Sequence, residues 1–270
     1  VKTQAEAEKV SAKDEKVVII GEKLADSDSI SYENDRASGE WALADYVSKG
    51  IEVLSDNDKG FFMMVEGGKI DWACHANDAG STINDTIALA DAVEEAVAFA
   101  KKHPDDTLIL VTGDHETGGL GLGTGKYELQ LKALAKQKQS QDILSRSITD
   151  LRKMRKVINW PEMKEFLAEK MGFWKELPVS WEQEKMLRDA YEESFVNKHV
   201  VFESLYAKTE PLAVAAKKVM SQIAMVGWTS GGHTAGYVPV FAVGAGSKLF
   251  VGKMDNTEIP KRIAKAGGYK

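Results

Sequence analysis

Six side chains able to hold a cation stand in three short, well-separated stretches of this 270-residue sequence. In Met63-Met64-Val65-Glu66-Gly67-Gly68-Lys69-Ile70-Asp71-Trp72-Ala73-Cys74-His75-Ala76-Asn77-Asp78, Asp71 and His75 are one helical turn apart. Their carboxylate and imidazole therefore share a face, a donor pair that suits zinc. Glu66 closes the apolar run Phe61 to Val65, and a hard carboxylate there suits magnesium. In Leu108-Ile109-Leu110-Val111-Thr112-Gly113-Asp114-His115-Glu116-Thr117-Gly118-Gly119, an Asp-His pair directly follows an apolar run. At a strand end the alternation of faces lapses, so two neighbouring side chains reach one crevice. The third stretch, Trp228-Thr229-Ser230-Gly231-Gly232-His233-Thr234-Ala235-Gly236, carries His233 in a glycine-rich loop ahead of the run Val238 to Val243. Each motif alone is weak, since Asp-x-x-x-His is more often a solvated helix face and Asp-His more often a capping turn; jointly they say more. His103, set before Pro104, and His199, without carboxylate or glycine neighbours, read as structural. Cys74 is one residue off the Asp71/His75 face and reads as a small buried side chain. The basic run Arg152-Lys153-Met154-Arg155-Lys156 reads as a solvated helix face.

The elements that must position these groups follow from periodicity. Lys16 to Gly21 reads as a short buried strand, Trp41 to Leu54 as a helix, and Phe61 to Val65 as a central parallel strand. Asp78 to Lys102 has the pattern of a long Ala-rich helix closed by His103-Pro104, and Thr107 to Thr112 that of a third strand. Strand, helix, strand predicts a βαβ unit, hence a mainly parallel sheet with helices on its faces and ligands gathered at the strand C-terminal ends. Residues 126–225 are rich in Lys, Glu, Gln, Leu and Met, with helical stretches and almost no strand signal. They read as a helical insertion on the rim of the sheet, because the chain leaves after Asp114-His115 and returns just before His233. Strand character resumes at Tyr237 to Gly244, and Thr257 to Lys265 reads as a closing helix. The fold class expected is α/β, a three-layer α/β/α sandwich with its core in residues 1–125 and 226–270.

Composition sets outer bounds. With 43% hydrophobic and 28% charged residues the chain is long enough to bury a sizeable core. A net charge of −6, from 41 acidic and 35 basic residues spread along the sequence, gives no nucleic-acid-binding face, so any phosphate affinity must be local. The single Cys74 excludes an intrachain disulfide and does not locate the protein. Val1 to Lys16 is polar, without the apolar core of a signal peptide, and no window approaches a membrane span. A sequence opening Val-Lys-Thr reads as a processed or truncated product.

The three stretches, in this order, resemble the metal-binding blocks of the alkaline phosphatase family: Met-Val-Glu-Gly with Ile-Asp-x-x-x-His-x-Asn-Asp, then Thr-x-Asp-His-Glu-Thr-Gly-Gly, then Gly-x-His-Thr. The likeness covers about 130 residues outside the helical insertion, and a three-block match is specific. It implies one zinc held by Asp71, His75 and His233, a second zinc with ligands from Asp114 and His115, and magnesium at Glu66. It also implies phosphate monoester substrates, a periplasmic or extracellular location, and compatibility with a homodimer. The resemblance has gaps. The family's bridging aspartate, its Asp-Ser-Ala nucleophile, its magnesium threonine and its phosphate-clamping arginine normally precede the Glu-Gly block and have no counterpart here. Asp26-Ser27-Asp28-Ser29 lies instead where the family has a loop ahead of a segment like Tyr32-Glu33-Asn34-Asp35-Arg36. The chain therefore reads as the C-terminal portion of such an enzyme, inactive alone. Alternatives are a related metal-dependent phosphodiesterase, sulfatase or phosphomutase, or a metal-binding module without catalysis.

Overall fold

Side-chain caps and prolines set the start of most of the α-helices in the computed structural model, which describes residues 1–14, 16–25, 29–125, 127–155, 158–197, 202–203 and 208–269. Among residues weighed above, Asp26, Ser27, Asp28, Lys126, Lys156 and His199 lie outside the described residues. The helices are α1 (Gln4–Ala7), α2 (Leu43–Leu54), α3 (Gly68–His75), α4 (Ala79–Lys102), α5 (Gln141–Met154), α6 (Trp160–Met171), α7 (Trp181–Tyr191), α8 (Pro211–Ala224) and α9 (Glu258–Ala266). The strands are β1 (Leu108–Thr112), β2 (Glu116–Thr117), β3 (Gly121–Leu122), β4 (Phe202–Glu203), β5 (Lys208–Thr209), β6 (Val226–Gly227), β7 (His233–Thr234) and β8 (Val240–Gly244). Asp78 starts α4 by accepting from Ser81 N, and Asn159 with Glu162 forms a capping box at α6. Pro211 occupies the first turn of α8, where a missing N–H costs nothing, while the buried Glu210 accepts from Leu212 N and Ala213 N.

Two legs of the chain lie antiparallel along three successive pairings. β1 pairs with β8 from Leu108↔Gly244 to Thr112↔Val240, β2 with β7 at Glu116↔Thr234 and Thr117↔His233, and β3 with β6 at Gly121↔Gly227 and Leu122↔Val226. Residues 126–225 leave and return between β3 and β6. This ladder is what carries His233 to the neighbourhood of His115.

The expected parallel sheet is not found among the described residues, whose named strands all pair antiparallel, in four two-stranded sheets. Lys16–Gly21 and Phe61–Val65 form no strand, so the βαβ unit is not realised. The physical reason lies in the neighbours. An apolar β-branched run becomes a strand only where a flanking strand supplies its backbone hydrogen bonds and covers its faces. Here Val18, Phe62, Met64, Phe241 and Val243 are 71, 60, 72, 62 and 64% exposed.

The largest buried core lies among helices. Leu144 and Ile148 of α5, Met163, Leu167 and Met171 of α6, Leu187 of α7, and Leu212, Val219 and Met220 of α8 are essentially fully buried around Phe173. These helices meet α4 through Ala79, so the helical region is packed against the helix that follows the Asp71/His75 segment. No helix among the described residues is long and apolar enough to cross a membrane.

Candidate metal centre

The short helix α3 presents Asp71 and His75 on one face, with His75 Nε2 3.5 Å from Asp71 Oδ2. His75 Nδ1 lies 2.8 Å from the Gly231 carbonyl oxygen. A carbonyl only accepts, so Nδ1 carries the proton and the Nε2 lone pair is the one turned toward Asp71 and His233. His233 Nε2 is 3.2 Å from His75 Nε2 and 3.8 Å from Asp71 Oδ1. Gly118 holds the loop in place, donating from its N to Gly232 O at 2.9 Å and accepting from Thr229 N at 3.0 Å. Its φ is +81°, and a Cβ there would fall 2.9 Å from Cys74 O and 2.8 Å from the Trp228 ring, so the close approach of the two segments requires glycine.

His115 joins from the β1–β2 turn. Its ring stacks on that of His233 with centroids 3.6 Å apart, and its Nε2 is 3.3 Å from Asp114 Oδ2. Thr117 bridges the two halves of the cluster, its hydroxyl 2.6 Å from Asp71 Oδ1 and 3.3 Å from His115 Nδ1. The carboxylate takes the hydroxyl proton, so His115 Nδ1 is the donor to Thr117, while its Nε2 faces the Asp114 carboxylate. Asp71, His115 and His233 offer ligand atoms that all lie within 4.8 Å of one another.

The donor set fits zinc. Tetrahedral zinc with bonds of about 2.0 to 2.1 Å places neighbouring ligand atoms about 3.3 Å apart. His75 Nε2 and His233 Nε2 are 3.2 Å apart, near that spacing, and they approach different oxygens of the Asp71 carboxylate, Oδ2 at 3.5 Å and Oδ1 at 3.8 Å.

Glu66 is placed differently. It is exposed and lines a cavity of about 250 Å³ with Arg36, Lys69, Trp72 and Asp85, and that lining includes none of the other five candidate ligands. The structural readings of other groups hold for His103, which stacks on Phe99 at 4.4 Å, and for Cys74, which is buried, 3.7 Å from Thr82 Oγ1, with burial pushing its thiol up. The basic run is corrected in part. Lys153 is a solvated side chain, but Arg152 donates to Ser194 O at 2.9 Å and faces the buried Glu210, while Arg155 pairs with Glu162 at 2.8 Å.

Sequence reasoning passed over Thr117, although its two-residue offset from His115 puts both on one face of an extended segment. It also passed over the carbonyl of Gly231, which no side-chain motif reveals.

A histidine and carboxylate cluster that could hold a cation, assembled where an antiparallel ladder meets a short helix, is thus the class of site this fold defines. The alkaline phosphatase family model matches residues 1–269, and the chain belongs to the alkaline phosphatase family. It is 32% identical over 236 residues to alkaline phosphatase 3 of Bacillus subtilis (strain 168), covering 87% of this chain and 46% of that protein. Among solved structures it is similar to a cold-active alkaline phosphatase from a psychrophilic Shewanella sp., with TM-score 0.70, 29% identity, and coverage of 88% of this chain and 52% of the other. It is also similar to the alkaline phosphatase of Thermus thermophilus, with TM-score 0.63, 28% identity, and coverage of 90% and 51%. The chain spans about half the length of the relatives it matches.

Proposed function

We propose that this chain carries the metal-binding part of a phosphate monoester hydrolase, and that Asp71, His75 and His233 hold one zinc, Asp114 and His115 contribute to a second, and Glu66 serves magnesium. The observation that carries the reading is the convergence of Asp71, His75, His115 and His233 from three segments, with His75 and His233 158 residues apart. Bound zinc supplies Lewis acidity toward a phosphoryl oxygen and lowers the pKa of an attacking hydroxyl or water. The protein's own share is positional: Thr117 fixes the Asp71 carboxylate and the His115 tautomer, and the Gly231 carbonyl fixes that of His75. In this reading the substrates are phosphate monoesters. In the same reading residues 126–225 form an insertion that shapes access or a dimer contact, and the protein acts in the periplasm or outside the cell.

The reading is tested by elemental analysis of the purified chain after zinc loading and removal of free metal. Near-stoichiometric zinc that is lost in a His75→Ala, His233→Ala double variant is the expected result. A chain that retains no zinc, or a double variant that retains as much as the parent, overturns it.

A further inference from the structure

Asn77 sits just past the C-terminal end of α3, two residues after His75, and is itself too far along the chain to act as a ligand on the Asp71/His75 face. Its φ is +50°, in the left-handed region that few non-glycine residues enter and asparagine tolerates best. Its side-chain amide donates twice, to Cys74 O at 2.9 Å and to Ser230 O at 2.8 Å. Both acceptors are carbonyls, which assigns the nitrogen to that side of the amide and uses both of its protons. The first bond ties the amide to the last turn of the helix bearing Asp71 and His75. The second bond reaches across 153 residues to the loop bearing His233. The very next carbonyl of that loop, Gly231 O, is the partner of His75 Nδ1.

We propose that the Asn77 amide is a positioning device that clamps the His233 loop to the end of α3 and so sets the 3.2 Å approach of His75 Nε2 to His233 Nε2. The inference rests on the zinc reading given above. Lys217, whose ammonium donates to Ala76 O, anchors the same helix end from α8, so α3 is the fixed side of the clamp and the glycine-rich loop the side that is held. Within the loop Ser230 Oγ donates to Gly232 O at 2.8 Å, which makes Ser230 to Gly232 a tight turn that moves as a unit when Ser230 O is released. Two glycines give that turn no side-chain packing of its own, so its position depends on bonds from outside: Gly118 on one flank, and on the other Asn77 at Ser230 O beside His75 at Gly231 O.

A residue that merely tolerates positive φ would serve as well if it were glycine. Asn77→Gly therefore separates the two roles: it keeps or eases the backbone conformation and deletes the clamp. Asn77→Asp keeps size and backbone preference but turns two donors into acceptors that face carbonyls. Zinc alone is titrated into metal-free parent, Asn77→Gly and Asn77→Asp, with thermal unfolding of each metal-free protein recorded in parallel. The expected result is a zinc dissociation constant raised about tenfold in Asn77→Gly and more in Asn77→Asp, the size seen when outer hydrogen bonds that orient ligands are removed. Melting of metal-free Asn77→Gly should stay within a few degrees of the parent. Parent-like zinc affinity in Asn77→Gly overturns the clamp. A parent that binds no zinc defeats the zinc reading itself, and the clamp is then judged by imidazole nitrogen resonances of the metal-free proteins: fixation of the His75 proton on Nδ1 should be lost in Asn77→Gly. Identical His75 resonances in the two proteins overturn the proposal whatever the metal result.

Discussion

Thr117 has a hydroxyl that touches both Asp71, at 2.6 Å, and His115, at 3.3 Å. Removing it should leave the ligands in place but free their rotamers. Thr117→Val, which keeps the β-branched shape in β2, is expected to weaken zinc binding about tenfold, and Thr117→Ser to restore most of it. His233→Ala, which deletes a ligand, should cost far more than Thr117→Val, and competition with a chromogenic chelator ranks the three. Parent-like zinc binding in Thr117→Val, with the loss falling on Thr117→Ser, would mean that the methyl group, and not the hydroxyl, is what matters. The contrast between these residues shows what a sequence discloses at this scale. Aspartate and histidine announce themselves by donor type and by the four-residue spacing of Asp71 and His75. Thr117, Asn77 and the Gly231 carbonyl acquire their roles only from where separate segments land, and nothing in their types or local spacing fixes that.

Helix boundaries were legible for a related reason: the groups that decide them are local. Asp78 three residues before Ser81, and His103-Pro104 after α4, act within one turn. Strand pairing is not local, and the reading failed there, giving Phe61–Val65 a parallel role that the described structure does not show. One element carries a charge cost that makes a pH prediction. Asp85 on α4 is 8% exposed and accepts from Glu33 N at 3.3 Å. Burial, reinforced by the nearby Glu33 and Asp35, pushes its carboxyl up from 3.8 to about 7, and burial likewise raises Asp35 to about 6. Both groups keep a proton in the folded protein that the unfolded chain has already released. Their contribution to stability is therefore fully present below the unfolded value near 3.8 and is lost as pH rises toward about 7. Asp85→Asn, whose amide oxygen still accepts from Glu33 N, should flatten that decline, with urea midpoints near the parent's at the acid end of the window and above them at the neutral end. Parallel pH profiles for the two proteins would show that Asp85 does not carry the effect.

At the scale of the whole molecule, the exposed apolar side chains and the partial span point the same way. Val18, Phe62, Met64, Phe241 and Val243 stand more than half exposed, which favours self-association or binding of apolar dyes. Light scattering and dye fluorescence of the 270-residue chain should show one or the other, and a Phe62→Lys, Phe241→Lys variant should show less. Family members gain most of their rate from a serine that attacks phosphorus, and nucleophile loss in serine enzymes costs on the order of a millionfold. Thr112 spends its hydroxyl on the Gly113 and Pro239 carbonyls, each at 3.1 Å, and Ser29 Oγ accepts from Lys69 at 2.7 Å. Thr117 directs its proton to Asp71. With these hydroxyls committed, the isolated chain supplied with zinc and magnesium is expected to hydrolyse an aryl phosphate no faster than the metals alone. Turnover that rises in proportion to the chain would sink this reading, because it would make the chain a catalyst in its own right.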